Sequence, residues 1–71
     1  MHERVLQIIS VYMGLKPEEI HPDTELYRYC DDLDVIEMVV ALEEETGISI
    51  PDEAMNKLYT IGDVLSCVEK N

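Results

Sequence analysis

One stretch constrains this chain more than any other. From residue 31 to residue 46 it reads Asp-Asp-Leu-Asp-Val-Ile-Glu-Met-Val-Val-Ala-Leu-Glu-Glu-Glu-Thr, and Gly47 follows. Leu33, Ile36, Val39, Val40 and Leu42 make a broad apolar stripe at helical spacing, and Val35 and Met38 widen it. Asp31, Asp32 or Asp34 can accept the free N–H groups of a first turn and complement the helix dipole. Gly47 is a natural terminator, because a left-handed residue closes a helix at no steric cost in glycine. The pattern predicts a helix that starts near residues 31 to 33 and runs to about Thr46. Glu43, Glu44 and Glu45 fall in its last turn, where the dipole disfavours acids by roughly a few tenths of a kcal/mol. Their placement points to a duty other than helix stability.

Around this element the rest of the chain sorts into shorter pieces. Residues 3 to 14 read as an amphipathic helix, with Val5, Ile8, Ile9 and Tyr12 on one face and Gly14 as its stop. Residues 15 to 26 form a long connection punctuated by Pro17 and Pro22, and Pro17-Glu18-Glu19 can start a short turn. Ile20 and Leu26 are the apolar plugs that would pin this loop over the core. Ile48-Ser49-Ile50-Pro51 alternates like a strand, but four residues with a terminal Pro and no partner make an extended connector. Asp52 can cap a short helix through about Leu58. Thr60-Ile61-Gly62-Asp63 resembles a capping box with Asp in place of Glu, opening a last helix from Ile61 to about Glu69. Ile61, Val64, Leu65 and Val68 fit its core-facing spacing. The expected fold is all-α, a bundle of three longer helices and one short one, in a single domain over residues 1–71.

Composition narrows the functions. A 71-residue domain buries only about 60% of its unfolded surface, so its stability margin is thin. It has neither Trp nor Phe, so aliphatic residues, Met and Tyr must fill the core. No apolar run approaches the roughly 20 residues of a membrane span. The N-terminus lacks the basic and apolar regions of a signal peptide, and a cytoplasmic location is expected. Cys30 and Cys67 are then expected as free thiols. No C-x-x-C pair exists, and the Asp cluster lacks a spaced ligand loop, so no metal site is expected. Sixteen acids against five bases give a net charge of −11, which repels nucleic acid and anionic membranes. No Lys or Arg occurs between Tyr29 and Asn56, while nine acids do. A one-sign field of that length is self-repulsive, and a partner with a basic surface explains it better than solubility alone. The chain is expected to act as a monomer.

Residues 31 to 53 resemble the second helix and following connector of the acyl carrier protein family. The shared features are the Asp-x-Leu-Asp head, the run Ala41-Leu42-Glu43-Glu44-Glu45, and the step Ile50-Pro51-Asp52-Glu53. Glu3-Arg4-Val5 with Ile8-Ile9, the segment from Gly14 to Ile20, and Thr60-Ile61-Gly62-Asp63-Val64 extend the similarity to both ends. The resemblance implies a carrier of acyl groups on a phosphopantetheine arm, joined to a serine at the head of the second helix. Asp32 stands where that serine would be. A carboxylate cannot form the phosphodiester, because the transferase needs a hydroxyl nucleophile. Ser10, Ser49 and Ser66 lie elsewhere. The approach Tyr27-Arg28-Tyr29-Cys30 lacks the family's glycine and is about two residues shorter than the family's, and Thr46 replaces a common core aromatic. These departures imply an absent cofactor and a lost carrier role.

What the resemblance retains is a docking face. Asp31, Asp34, Glu37, Val40, Glu43 and Glu44 are the expected partner-binding residues, and Asp34, Glu37 and Glu44 share a side of the helix by spacing alone. The expected function is non-enzymatic: protein–protein interaction with a synthase- or transferase-type enzyme. One alternative is an immunity or antitoxin protein covering the basic active site of a toxin. Another is an atypical acyl carrier in fatty-acid, polyketide or peptide synthesis, with Cys30 holding a thioester directly. Asp31, Asp32 and Asp34 oppose that chemistry by raising the thiol pKa. Catalysis is not expected, since the acids sit on an exposed helix start with no nucleophile beside them.

Overall fold

The three longer helices end within one residue of where the sequence places them. In the computed structural model, which describes residues 2–69, they are α1 (His2–Met13), α2 (Asp32–Thr46) and α4 (Ile61–Val68), with the short α3 (Asp52–Met55) between the last two. Single 3₁₀ turns at Pro17–Glu19 and Leu26–Arg28 shape the long first loop. Gly14 and Gly47 both adopt positive φ, 68° and 75°, so each helix stop uses glycine's freedom in the left-handed region.

The core draws on the three longer helices and the connections between them. Val5, Ile9 and Met13 come from α1, and Val35, Met38, Val39 and Leu42 from α2. Ile61, Val64 and Val68 come from α4, and Leu26, Cys30, Ile50 and Leu58 from the connections. Leu26 is the plug expected of it, with no exposed surface, which contributes about 1.5–3 kcal/mol of burial. Ile20 packs partly buried against the same cluster, as do Ile8, Tyr12 and Leu65.

Two expectations need correction. The stripe on α2 is rotated: Leu33, Ile36 and Val40 face solvent, while Val35 and Met38, read as its margin, are buried. The cause is crowding of apolar residues. They occupy so much of the helix circumference that spacing does not single out one face, and packing against α1 and α4 selects it. The short helix also differs. Pro51 holds the cap position in extended conformation and Asp52 is the first helical residue, with no side-chain cap. It ends at Met55 because Lys57 and Leu58 donate to Ala54 and Met55, three residues back, tightening the chain into turns that deliver Leu58 to the core.

The long loop is fastened to the head of α4. Leu26 N–H donates to Tyr59 O (2.8 Å), Ile61 N–H to Thr24 O (2.9 Å) and Gly62 N–H to Pro22 O (2.9 Å). Glu25 and Thr60 form an isolated antiparallel bridge in the same place. The capping box read from Thr60 and Asp63 closes the joint. Asp63 Oδ2 accepts from the N–H groups of Tyr59 (2.9 Å) and Thr60 (3.0 Å), and Thr60 Oγ1 accepts from Asp63 N–H (3.2 Å). From Leu26 the chain turns at once, with the N–H groups of Tyr29 and Cys30 both donating to its carbonyl. That turn delivers Asp31 to the start of α2.

Candidate functional site

The head of α2 is built by Asp31. Its Oδ1 accepts the N–H of Asp34 (2.9 Å), and Asp34 Oδ2 accepts the N–H of Asp31 (3.4 Å). This reciprocal cap satisfies two orphan donors and places two negative charges at the positive end of the helix dipole. Two of the expected partner-binding residues are therefore also structural. Asp31 remains exposed and Asp34 is half-buried.

Asp32 follows as the first residue of α2 and is exposed. Tyr27 stands beside it. Burial pushes the Tyr27 phenol above its ordinary value, and the charge of Asp32, the nearby Tyr59 and a polar side-chain contact with Asp32 add to the rise. Between α2 and α3 lies an open groove of about 530 Å³, lined by Tyr27, Asp32, Val35, Ile36, Asp52, Met55 and Asn56. Cys30 sits behind this head, 7% exposed, its Sγ donating to Tyr12 O (3.5 Å). Burial first, then Asp34 and Asp31, raise its thiol pKa, so the thiolate is disfavoured. Cys30 and Cys67 are both free thiols.

The outer side of α2 combines oil and acid. Leu33 (62% exposed), Ile36 (46%) and Val40 (46%) lie open to solvent. Glu37 and Glu44 are exposed and make no hydrogen bond or ion pair among the described residues. A shallow groove between α1 and α2, about 270 Å³, is lined by Tyr12, Ile36, Glu37, Val40, Ala41 and Glu44. The structure thus brings Glu37, Val40 and Glu44 together.

Glu43 is separated from them. It turns inward, and its Oε2 accepts the N–H of Ile50 at 2.7 Å, tying the connector to the helix. Glu45 also has a local role, meeting Arg4 at 3.4 Å. Of the three last-turn acids, only Glu44 keeps a free carboxylate among the described residues. The sequence reading missed Leu33, Ile36, Tyr27 and Asp52 as surface groups of interest. The one available signal was the excess of apolar residues on α2 over what a single buried face needs.

A long α2 with an acidic head, a looped approach fastened to α4 and a short α3 beside the groove define an acyl-carrier-type helical domain. The chain matches the family described as Phosphopantetheine attachment site over residues 3–68, and it belongs to that family. It is 39% identical over 74 residues to an acyl carrier protein of Afipia carboxidovorans, covering 97% of this chain and 90% of that protein. It is 38% identical over 71 residues to an acyl carrier protein of a Bradyrhizobium species, with the same coverage of 97% and 90%.

The family's prosthetic group is joined through a phosphodiester to a side-chain hydroxyl. At the head of α2 the side chains are Asp31, Asp32, Leu33 and Asp34, and none carries one. The Ser10 hydroxyl is spent on the Leu15 carbonyl, and Thr60 lies in the capping box of α4. The side chains at the head of α2 do not fit that linkage. No helix among the described residues is long and apolar enough to cross a membrane.

Proposed function

We propose that this chain is a non-enzymatic, armless member of the carrier family that works by docking on a basic partner protein. The carrying observation is the exposed carboxylate of Asp32 at the first position of α2, where the linkage chemistry requires an alcohol. The outer face of α2 supports the second half of the reading. Leu33, Ile36 and Val40 supply apolar contact, while Glu37 and Glu44 supply charge that nothing within the described chain neutralises. Exposed apolar groups rimmed by charge mark interaction surfaces. The acids would set the approach rate and orientation, and the apolar groups the residence time.

Mass spectrometry tests the reading. Incubation of the protein with coenzyme A and a broad-specificity phosphopantetheinyl transferase leaves its mass unchanged. D32S, which supplies the missing hydroxyl, is the variant that can gain one phosphopantetheine unit. A gain of that unit by the unaltered chain overturns the proposal.

A further inference from the structure

We propose that the joint between the long loop and the head of α4 binds a proline-rich segment of another protein in polyproline conformation. Two grooves there share the Glu25–Arg28 pair as a common border. The larger, about 520 Å³, is lined by that pair with Tyr27, Tyr59 and Thr60. The smaller, about 340 Å³, meets the pair from the side of Tyr29. Three of the chain's four tyrosines thus gather at one joint, and Tyr27, Tyr29 and Tyr59 are 47%, 47% and 62% exposed. Large rings clustered in the open mark a surface that something covers. Their backbones are fixed: Tyr59 O accepts the Leu26 N–H, Leu26 O accepts the Tyr29 N–H, and Leu26 itself is buried. Rings carried on a fixed backbone lose little freedom on contact.

The polar groups at this joint define the ligand. The hydroxyls of Tyr29 and Tyr59 make no hydrogen bond among the described residues. Arg28 meets Glu25 only through Nε, at 3.6 Å, with both side chains well exposed. The larger groove therefore offers ring faces and hydrogen-bond donors, and its two charges cancel. A proline-rich segment is the complement. Its rings pack on aromatic faces, it brings no proline N–H that would need an acceptor, and its carbonyls have no internal partners. The polyproline helix turns once in about three residues, so prolines three apart share an edge and can enter neighbouring grooves. Single-stranded nucleic acid would stack on the same rings, but a net charge of −11 repels it. A second copy of this chain cannot supply the ligand, because no two of Pro17, Pro22 and Pro51 lie within one such turn. The site uses neither the outer acids of α2 nor residue 32, so it stands whether or not the chain carries an arm.

Amide NMR of the full ¹⁵N-labelled chain tests the site. The probe is a capped octaproline peptide, with a capped Gly-Ser peptide of equal length as its flexible, uncharged control. The proline peptide gives saturable shifts at Tyr27, Tyr29, Tyr59 and Thr60, little altered by salt because the ligand carries no charge. The control peptide gives none. Y59L and Y29L each weaken binding about fivefold, the scale of a lost aromatic contact, and R28Q about threefold, the scale of a lost hydrogen bond. All three side chains are exposed, and the amide spectrum away from the joint reports whether each variant keeps the fold. Four results overturn the proposal: these amides stay unmoved, the control binds equally, the shifts centre on Glu37, Val40 and Glu44, or the tyrosine variants bind as the parent does.

Discussion

The Glu43 carboxylate accepts the backbone N–H of Ile50 at 2.7 Å, seven residues later in the chain and beyond the end of α2. An acid in the last turn of a helix is unfavourable locally, yet here it supplies the partner for a half-buried N–H that has left helical structure. Replacing it orphans that donor. We expect E43A to destabilise the fold by about 1–2 kcal/mol, the usual scale for an unsatisfied buried donor. E44A, adjacent in sequence but removing an exposed carboxylate, should stay within about 0.5 kcal/mol. Urea denaturation followed by far-UV circular dichroism separates them.

Asp63 gives a pH signature. The N–H groups of Tyr59 and Thr60 hold its carboxyl below the ordinary value, burial opposing them weakly. A depressed folded-state pKa stabilises the protein above the unfolded pKa, and that contribution fades as pH falls through the folded value. Absolute stability is a poor readout in a chain of net charge −11, because acid also relieves repulsion among the other carboxylates. The difference between the protein and D63N is the useful quantity. It should be largest and constant near neutrality and shrink below about pH 4. A difference that persists undiminished at lower pH would show that the N–H groups do not favour the charged form.

Gly62 is set against the long loop. A Cβ built there meets Pro22 O at 3.0 Å, and that oxygen already receives the Gly62 N–H. Alanine in a helix normally gains about 0.5–1 kcal/mol over glycine. Here the oxygen belongs to a backbone held by two further hydrogen bonds, from Leu26 and Ile61, so it has little room to yield. We expect G62A to lose stability by about 1 kcal/mol, the scale of mild overpacking. Thermal melts at matched pH read the sign directly.

The helix ends were legible because local chemistry writes them. Gly14, Gly47 and the Thr60 to Asp63 box act within a few residues of themselves, and Asp31 caps α2 as its type suggests. The buried face of α2 was not legible. Val35, Ile36, Met38, Val39 and Val40 are similar in hydrophobicity, and only the packing of α1 and α4 decides which are covered. The role of Glu43 was hidden for a related reason, since its partner N–H becomes available only after the connector folds back. Of the expected docking residues, Glu37, Val40 and Glu44 share an open face, while Asp31, Asp34 and Glu43 carry hydrogen bonds that shape the helix and its exit.

The approach to α2 is short and moored on both sides. Leu26 is held by Tyr59 and sunk in the core, and Tyr29 and Cys30 fold straight back onto its carbonyl before the helix begins. A prosthetic arm is a tether that sweeps out a volume, and a protein that grips it must first halt that motion. On the armless reading proposed above, a partner meets instead the side chain of residue 32, carried on this hydrogen-bonded approach. Whatever meets it finds the geometry already set, and the entropy lost on contact belongs mostly to the visitor.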